Sequence, residues 1–225
     1  IIKAGEEGLL RLIERAKPDG VLVRNLGGVG WFQRRGVLEV GDFSLNVGNS
    51  LSALVFLKNG LERVTVAYDL TAAQVIPLAK RLPSNKIELV IHVNVPMFHM
   101  EHCVFAAFLS RGKDWRDCGR PCEKHRVALR DRIGVEHPVL ADAGCRNTVF
   151  QFQAQTGASY LEEFVRAGIR WFRVELLNQD GASSAEIVRL YRDLVEGRKN
   201  SKELWQILRV RDGLGVTTGT LSQMF

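Results

Sequence analysis

The sequence predicts an α/β protein made of parallel βα units. Three observations carry the prediction. Short apolar runs alternate with helical patterns every 20 to 25 residues or so, Gly, Asn and Asp punctuate the breaks, and strand-like and helix-like segments take turns along the chain. With 225 residues, 46% of them apolar and 25% charged, the chain can bury a sizeable core, which excludes disordered, collagenous and low-complexity classes. The long apolar run Glu88–Val95 is broken by His92 and Asn94 and falls far short of the roughly 20 residues of a membrane helix. No secretory signal opens the chain, so a soluble, cytoplasmic protein is expected. It begins at Ile1 without an initiator Met, and a piece of a longer parent chain is expected.

Each element follows from its local pattern. Glu6–Ala16 reads as a helix, with apolar residues at Leu9, Leu10, Leu12, Ile13 and Ala16. Asp19-Gly20 breaks it and Val21–Val23 reads as a short buried strand. Phe43–Val47 is the second strand candidate, and Ser50 then caps a helix through Leu57 that Asn59-Gly60 closes. Arg63–Tyr68 is a strand, Thr71 caps the helix Ala72–Leu82, and Lys86–Val95 is another strand. Later, Tyr160–Ala167 is a helix stopped at Gly168, Arg170–Leu176 a strand, and Ser184–Glu196 a helix stopped at Gly197. An eight-stranded barrel takes about 250 residues. The count here therefore predicts a partial (β/α)8 TIM-type barrel that lacks its first strands and carries a four-cysteine metal segment. An open doubly wound sheet is the runner-up, without support from G-x-G-x-x-G or G-x-x-x-x-G-K-[ST], neither of which occurs. The expected division is 1–98 for barrel units, 99–150 for the cysteine segment, 151–200 for the last barrel units and 201–225 for a tail or linker. Within that tail, Gly213–Phe225 leads toward a possible further domain.

The four cysteines, Cys103, Cys118, Cys122 and Cys145, all fall within residues 103–145. A secreted disulfide scaffold would be shorter and richer in Cys, so clustered thiols in this setting point to a shared metal. The spacing is C-x14-C-x3-C-x22-C, whereas a zinc ribbon shows two tight C-x2-C pairs. An iron–sulfur cluster tolerates irregular spacing of four thiolates. Spacing alone leaves a cluster, zinc and no metal all open. Cys118-x3-Cys122-x2-His125 approaches the three-cysteine loop of radical-SAM enzymes, but His in the last place argues against that assignment.

Several stretches resemble the peptidase U32 family, the collagenase-like proteins. They are Asp42-Phe43-Ser44-Leu45-Asn46-Val47-Gly48-Asn49-Ser50, Gly60-Leu61-Glu62-Arg63-Val64-Thr65-Val66 with Asp69-Leu70, the four cysteines, and Ala167-Gly168-Ile169 leading to Phe172-Arg173-Val174-Glu175. The resemblance implies the C-terminal part of a (β/α)8-type barrel and a [4Fe-4S] cluster held by the four Cys. It implies oxygen-independent hydroxylation of RNA (tRNA or rRNA) or of ubiquinone precursors, with prephenate as oxygen donor for RNA, while the family name records proteolysis. Met97-Phe98-His99-Met100-Glu101-His102 departs from the small and Gly residues many relatives carry before the first cysteine.

In a parallel barrel, reacting groups collect at the C-terminal ends of strands. Asn46 and Asn49 are candidate substrate-binding amides there, with turn closure as the alternative. Trp171, Arg173 and Glu175 share one face of their strand by the two-residue period. Arg173 could hold a dicarboxylate by forked hydrogen bonds, or form a structural ion pair with Glu175. His92 reads as a satisfied core histidine; Glu101 and His102 could relay protons, and His99 and His125 could stand in as ligands. Arg111–Arg132 carries eight Lys and Arg against four Asp and Glu, a surface for RNA phosphates or a solvated face. The net charge of +6 agrees with a polyanionic partner. A metal-stabilised RNA-binding module without chemistry is the remaining class. Protease motifs are missing: neither G-x-S-x-G nor H-E-x-x-H occurs.

Overall fold

The computed structural model describes residues 5–112, 115–211 and 216–222. In chain order its elements are α1 (Glu7–Arg15), β1 (Gly20–Val23), β2 (Leu38–Gly41), α2 (Ser50–Lys58), β3 (Arg63–Thr65), α3 (Ala72–Ala79) and β4 (Ile87–Val93). An antiparallel insertion follows, β5 (Pro96–Met100), α4 (Val104–Leu109), β6 (Val127–Arg130), β7 (Glu136–Ala141) and β8 (Asn147–Phe150). The chain then returns through β9 (Ala154–Thr156), α5 (Leu161–Arg166), β10 (Trp171–Val174), α6 (Gly181–Val195), α7 (Ser201–Arg211) and β11 (Val216–Thr217).

Local chemistry sets the helix starts. The Asn49 side chain accepts from the Ser52 N–H and Ser52 Oγ lies against the Asn49 N–H, a capping box that begins α2. Thr71 and Gln74 do the same for α3. Such a cap satisfies donors that the first helical turn leaves without partners. The Asp180 carboxylate caps α6 by accepting from Ser183 N.

β1, β2, β3, β4 and β10 pair in parallel, β10 lying against β4. The central strand β4 is buried along its whole length. Its Ile87, Leu89 and Ile91 join a core with Val64, Val66, Val75, Phe164 and Ile169, on which the helices pack. The sheet stays open, with no closed barrel among the described residues: β4 also pairs antiparallel with β9, and β9 carries β11. The parallel-rich α/β sheet agrees with the expected class, while the partial TIM-type barrel is not seen among the described residues, β9 running antiparallel to β4. The cause is local. β4 runs directly into the insertion, and the chain comes back at residues 154–156 in the opposite direction, so its ladder on β4 cannot be parallel.

Two further expectations are corrected. The second strand lies at Leu38–Gly41, and Phe43–Leu45 is a single helical turn closed by Asn46 at φ 55°. Glu39 explains why the strand sits early. Its carboxylate, 1% exposed, accepts N–H groups from Gly30, Phe32 and Gln33, which fastens the preceding loop to β2. The stretch expected to be a tail instead contributes α7, whose Leu204 and Leu208, one turn apart, are fully buried in the core. Of the Gly213–Phe225 reading, residues 213–215 and 223–225 lie outside the described residues, and Val216–Thr217 pairs with β9.

The insertion forms its own four-stranded sheet in the order β5-β8-β7-β6, with a small core of Phe105, Val139 and Val149. No helix among the described residues is long and apolar enough to cross a membrane.

Candidate functional site

Across strands β3, β4 and β10, and reaching Asp42 just after β2, lies a charged network. Along β10 the two-residue period sends Phe172 and Val174 to the core and Arg173 to the other face. There Arg173 pairs with Asp42, with Glu88 at 2.9 Å and with Glu175 at 3.0 Å. Arg24 reaches the other Asp42 oxygen at 2.6 Å, and Arg63 holds Glu88 at 3.0 Å with Thr65 donating to it at 3.1 Å. Asp42 is fully buried. Burial works against the charged Arg173, but Asp42, Glu175 and Glu88 outweigh it and hold its pKa above the ordinary arginine value. Three guanidinium groups meet three carboxylates, so the network is close to neutral. Beside it Phe43 and Tyr68 stack at 3.9 Å, with Arg24 over the Phe43 ring at 5.5 Å. Burial, then Glu175 and Asp42, push the Tyr68 hydroxyl well above the usual phenol range.

Arg173 and Glu175 thus come together, both committed to the ion-pair network. Asn46 is an exposed turn residue and Asn49 a helix cap, each used locally. His92 is fully buried; its Nδ1 lies 3.0 Å from Tyr191 OH, while its Nε2 has no partner. Burial lowers its pKa from 6.5 to about 4, so it is neutral at pH 7.

The cysteines lie on the insertion. Cys103 precedes α4, Cys118 and Cys122 flank a turn with Gly119 at φ 68° and Arg120 at φ 51°, and Cys145 closes the β7–β8 connection at φ 59°. The Asp142 carboxylate accepts from Gly144 N and Arg146 N and fixes that connection. All four thiols are free. The Cys145 thiol is pushed up by burial and then by Cys103, Cys118 and Cys122, so all four gather in one electrostatic neighbourhood. Among the described residues, however, no three His, Cys, Asp or Glu side chains stand close enough to hold a single metal ion. No metal-binding cysteine group is thus seen among the described residues. The loop bearing Cys118 and Cys122 is largely exposed.

A cavity of about 1040 Å³ opens beside this group. Cys122, His125, Arg126, Val139 and Asp142 line it, as does Asn178 from the loop after β10. Asn178 lies three residues beyond Glu175, so the strand-end rim and the cysteine segment border the same space. His99 Nδ1 lies 3.0 Å from Thr148 Oγ1, His102 is exposed, and Glu101 instead binds Arg146 at 3.0 Å.

Sequence reasoning missed Asp42, Glu88, Arg24, Arg63 and Tyr68 as partners of Arg173. A charge inside the apolar run of β4 was the available signal for Glu88. It also missed Arg146, 5% exposed and paired with Glu101 and, at 2.7 Å, with Glu6 at the start of α1. Asn147, fully buried beside Cys103, was missed as well, and no spacing pattern marks it. In the basic segment, Lys113 and Asp114 lie outside the described residues. Arg120 pairs with Glu123 and Arg130 with Glu136, while Lys124, Arg126 and Arg132 are exposed with no ion pair among the described residues.

A family model described as peptidase family U32 matches residues 5–213. Neither a search of curated proteins nor a search of solved structures gave a match.

Proposed function

The chain belongs to peptidase family U32, and on that premise we propose that Cys103, Cys118, Cys122 and Cys145 hold a [4Fe-4S] cluster serving oxygen-independent hydroxylation of RNA. One observation carries the reading: four free thiols share a neighbourhood in which burial, and then the other three, raise the proton affinity of Cys145, without closing to the dimensions of a single-ion site. A cluster spaces its ligands more widely than zinc, and its positive iron core would relieve that repulsion. When bound it would supply redox chemistry to an oxygen donor such as prephenate.

The chain's own residues have separate tasks. Asp142 and the turns at Gly119 and Arg120 orient the thiols. The Arg173 network ties β10 to β4 and to the end of β2. Lys124, Arg126 and Arg132 offer exposed positive charge with no ion pair among the described residues, which suits RNA phosphates and a steep salt dependence.

Anaerobic reconstitution followed by metal analysis tests this reading. Iron and sulfide at about four each per chain, with visible absorption, is the expected result; one zinc per chain removes it. The loaded protein incubated with RNA and prephenate should add one oxygen atom to a nucleoside, read by mass spectrometry of digests. Hydrolysis of gelatin that survives iron removal would favour proteolysis instead.

A further inference from the structure

Asn147 is the first residue of β8, two positions after Cys145, and is fully buried. Its Oδ1 accepts the Val104 N–H at 2.8 Å and its Nδ2 faces Cys103 Sγ at 3.8 Å. The orientation of the amide follows from chemistry. Val104 N–H is a donor, so the oxygen must face it, and the NH2 group is then directed at the sulfur. The same side chain thus joins the segment bearing Cys145 to the one bearing Cys103.

We propose that Asn147 is a positioning residue that donates a hydrogen bond to the Cys103 thiolate and sets the reduction potential of the cluster held there. The inference rests on the cluster reading above. An N–H dipole aimed at a ligating sulfur stabilises the more negative, reduced state and raises the potential; such outer partners also fix ligand orientation. Burial of the Asn147 amide strengthens the effect because water does not compete for its N–H.

The test uses the full chain, reconstituted anaerobically, as wild type and as Asn147→Asp. Asp keeps an acceptor for Val104 N–H in nearly the same shape, loses the donor and adds negative charge. At a fixed poise its ratio of reduced to oxidised cluster should fall at least tenfold, a shift of 59 mV for one electron. Wild-type protein carrying ¹⁵N-labelled Asn should show hyperfine coupling between one amide nitrogen and the reduced cluster in pulsed EPR, a signal that Asn147→Asp abolishes. A purely structural role would change the melting temperature of the variant and leave wild type without that coupling. Should Asn147→Asp fail to fold or load, the wild-type coupling alone decides. Iron-loaded wild type without coupling, or an unshifted variant, overturns this inference only. Wild type that takes up no iron overturns the cluster reading and this inference with it.

Discussion

The parallel sheet and the cysteine insertion handle charge in opposite ways. In the sheet, Arg24, Arg63 and Arg173 are matched by Asp42, Glu88 and Glu175, and Asp42 is sealed from water. In the insertion, Lys124, Arg126 and Arg132 face solvent, and four thiols outside any disulfide are held near one another. The contrast separates charges that serve the fold from charges left available to something else. Buried ions must be compensated internally, whereas exposed ones cost little and remain free to bind.

The largest effect should come from breaking the matched side. Arg173→Met leaves Asp42 and Glu88 without their shared cation and should lower stability by about 3 to 5 kcal/mol, measured by urea unfolding. A loss below about 1 kcal/mol would mean the network is not compensated as described.

A pH series sharpens the same side. His92 has its pKa lowered to about 4 by burial, against 6.5 when unfolded. Between these values the unfolded chain binds the extra proton, so the contribution is fully present above pH 6.5 and lost as pH falls toward 4. The full loss is about 3 kcal/mol. His92→Gln should flatten that part of the stability profile, and an unchanged slope would assign it to other groups.

Asn49→Ala removes one half of the α2 capping box and should cost about 1 kcal/mol, visible as a lower midpoint in urea. Smallest in stability is the unmatched side. Lys124→Ala with Arg126→Ala should leave unfolding within about 0.5 kcal/mol per site while reducing the salt dependence of RNA binding. Equal loss of affinity at all salt concentrations would argue against phosphate contacts.

Legibility in the sequence followed the range of the interactions. Helix starts and the strands around Val21, Arg63, Ile87 and Arg170 were readable because caps and apolar runs are local. The second strand was misplaced because Glu39 draws its partners from a loop several residues earlier, which no periodicity records. The sharing of one face by Arg173 and Glu175 was readable, but their common partner Asp42 lies 131 residues from Arg173 and needs the folded sheet. For the cysteines, spacing gave the cluster of positions; it could not give Asn147, which meets Cys103 only through the pairing of β5 with β8.

Arg146 has a consequence for how this molecule can be cut. Its guanidinium, almost wholly enclosed, is shared between Glu101 beside the first cysteine and Glu6 ahead of the first helix. A shortened version beginning at β1 would leave that nearly enclosed cation with one counter-ion fewer. Glu6, ahead of the first helix, thus neutralises a cation 140 residues away in the cysteine insertion, and any boundary chosen for expression should keep it.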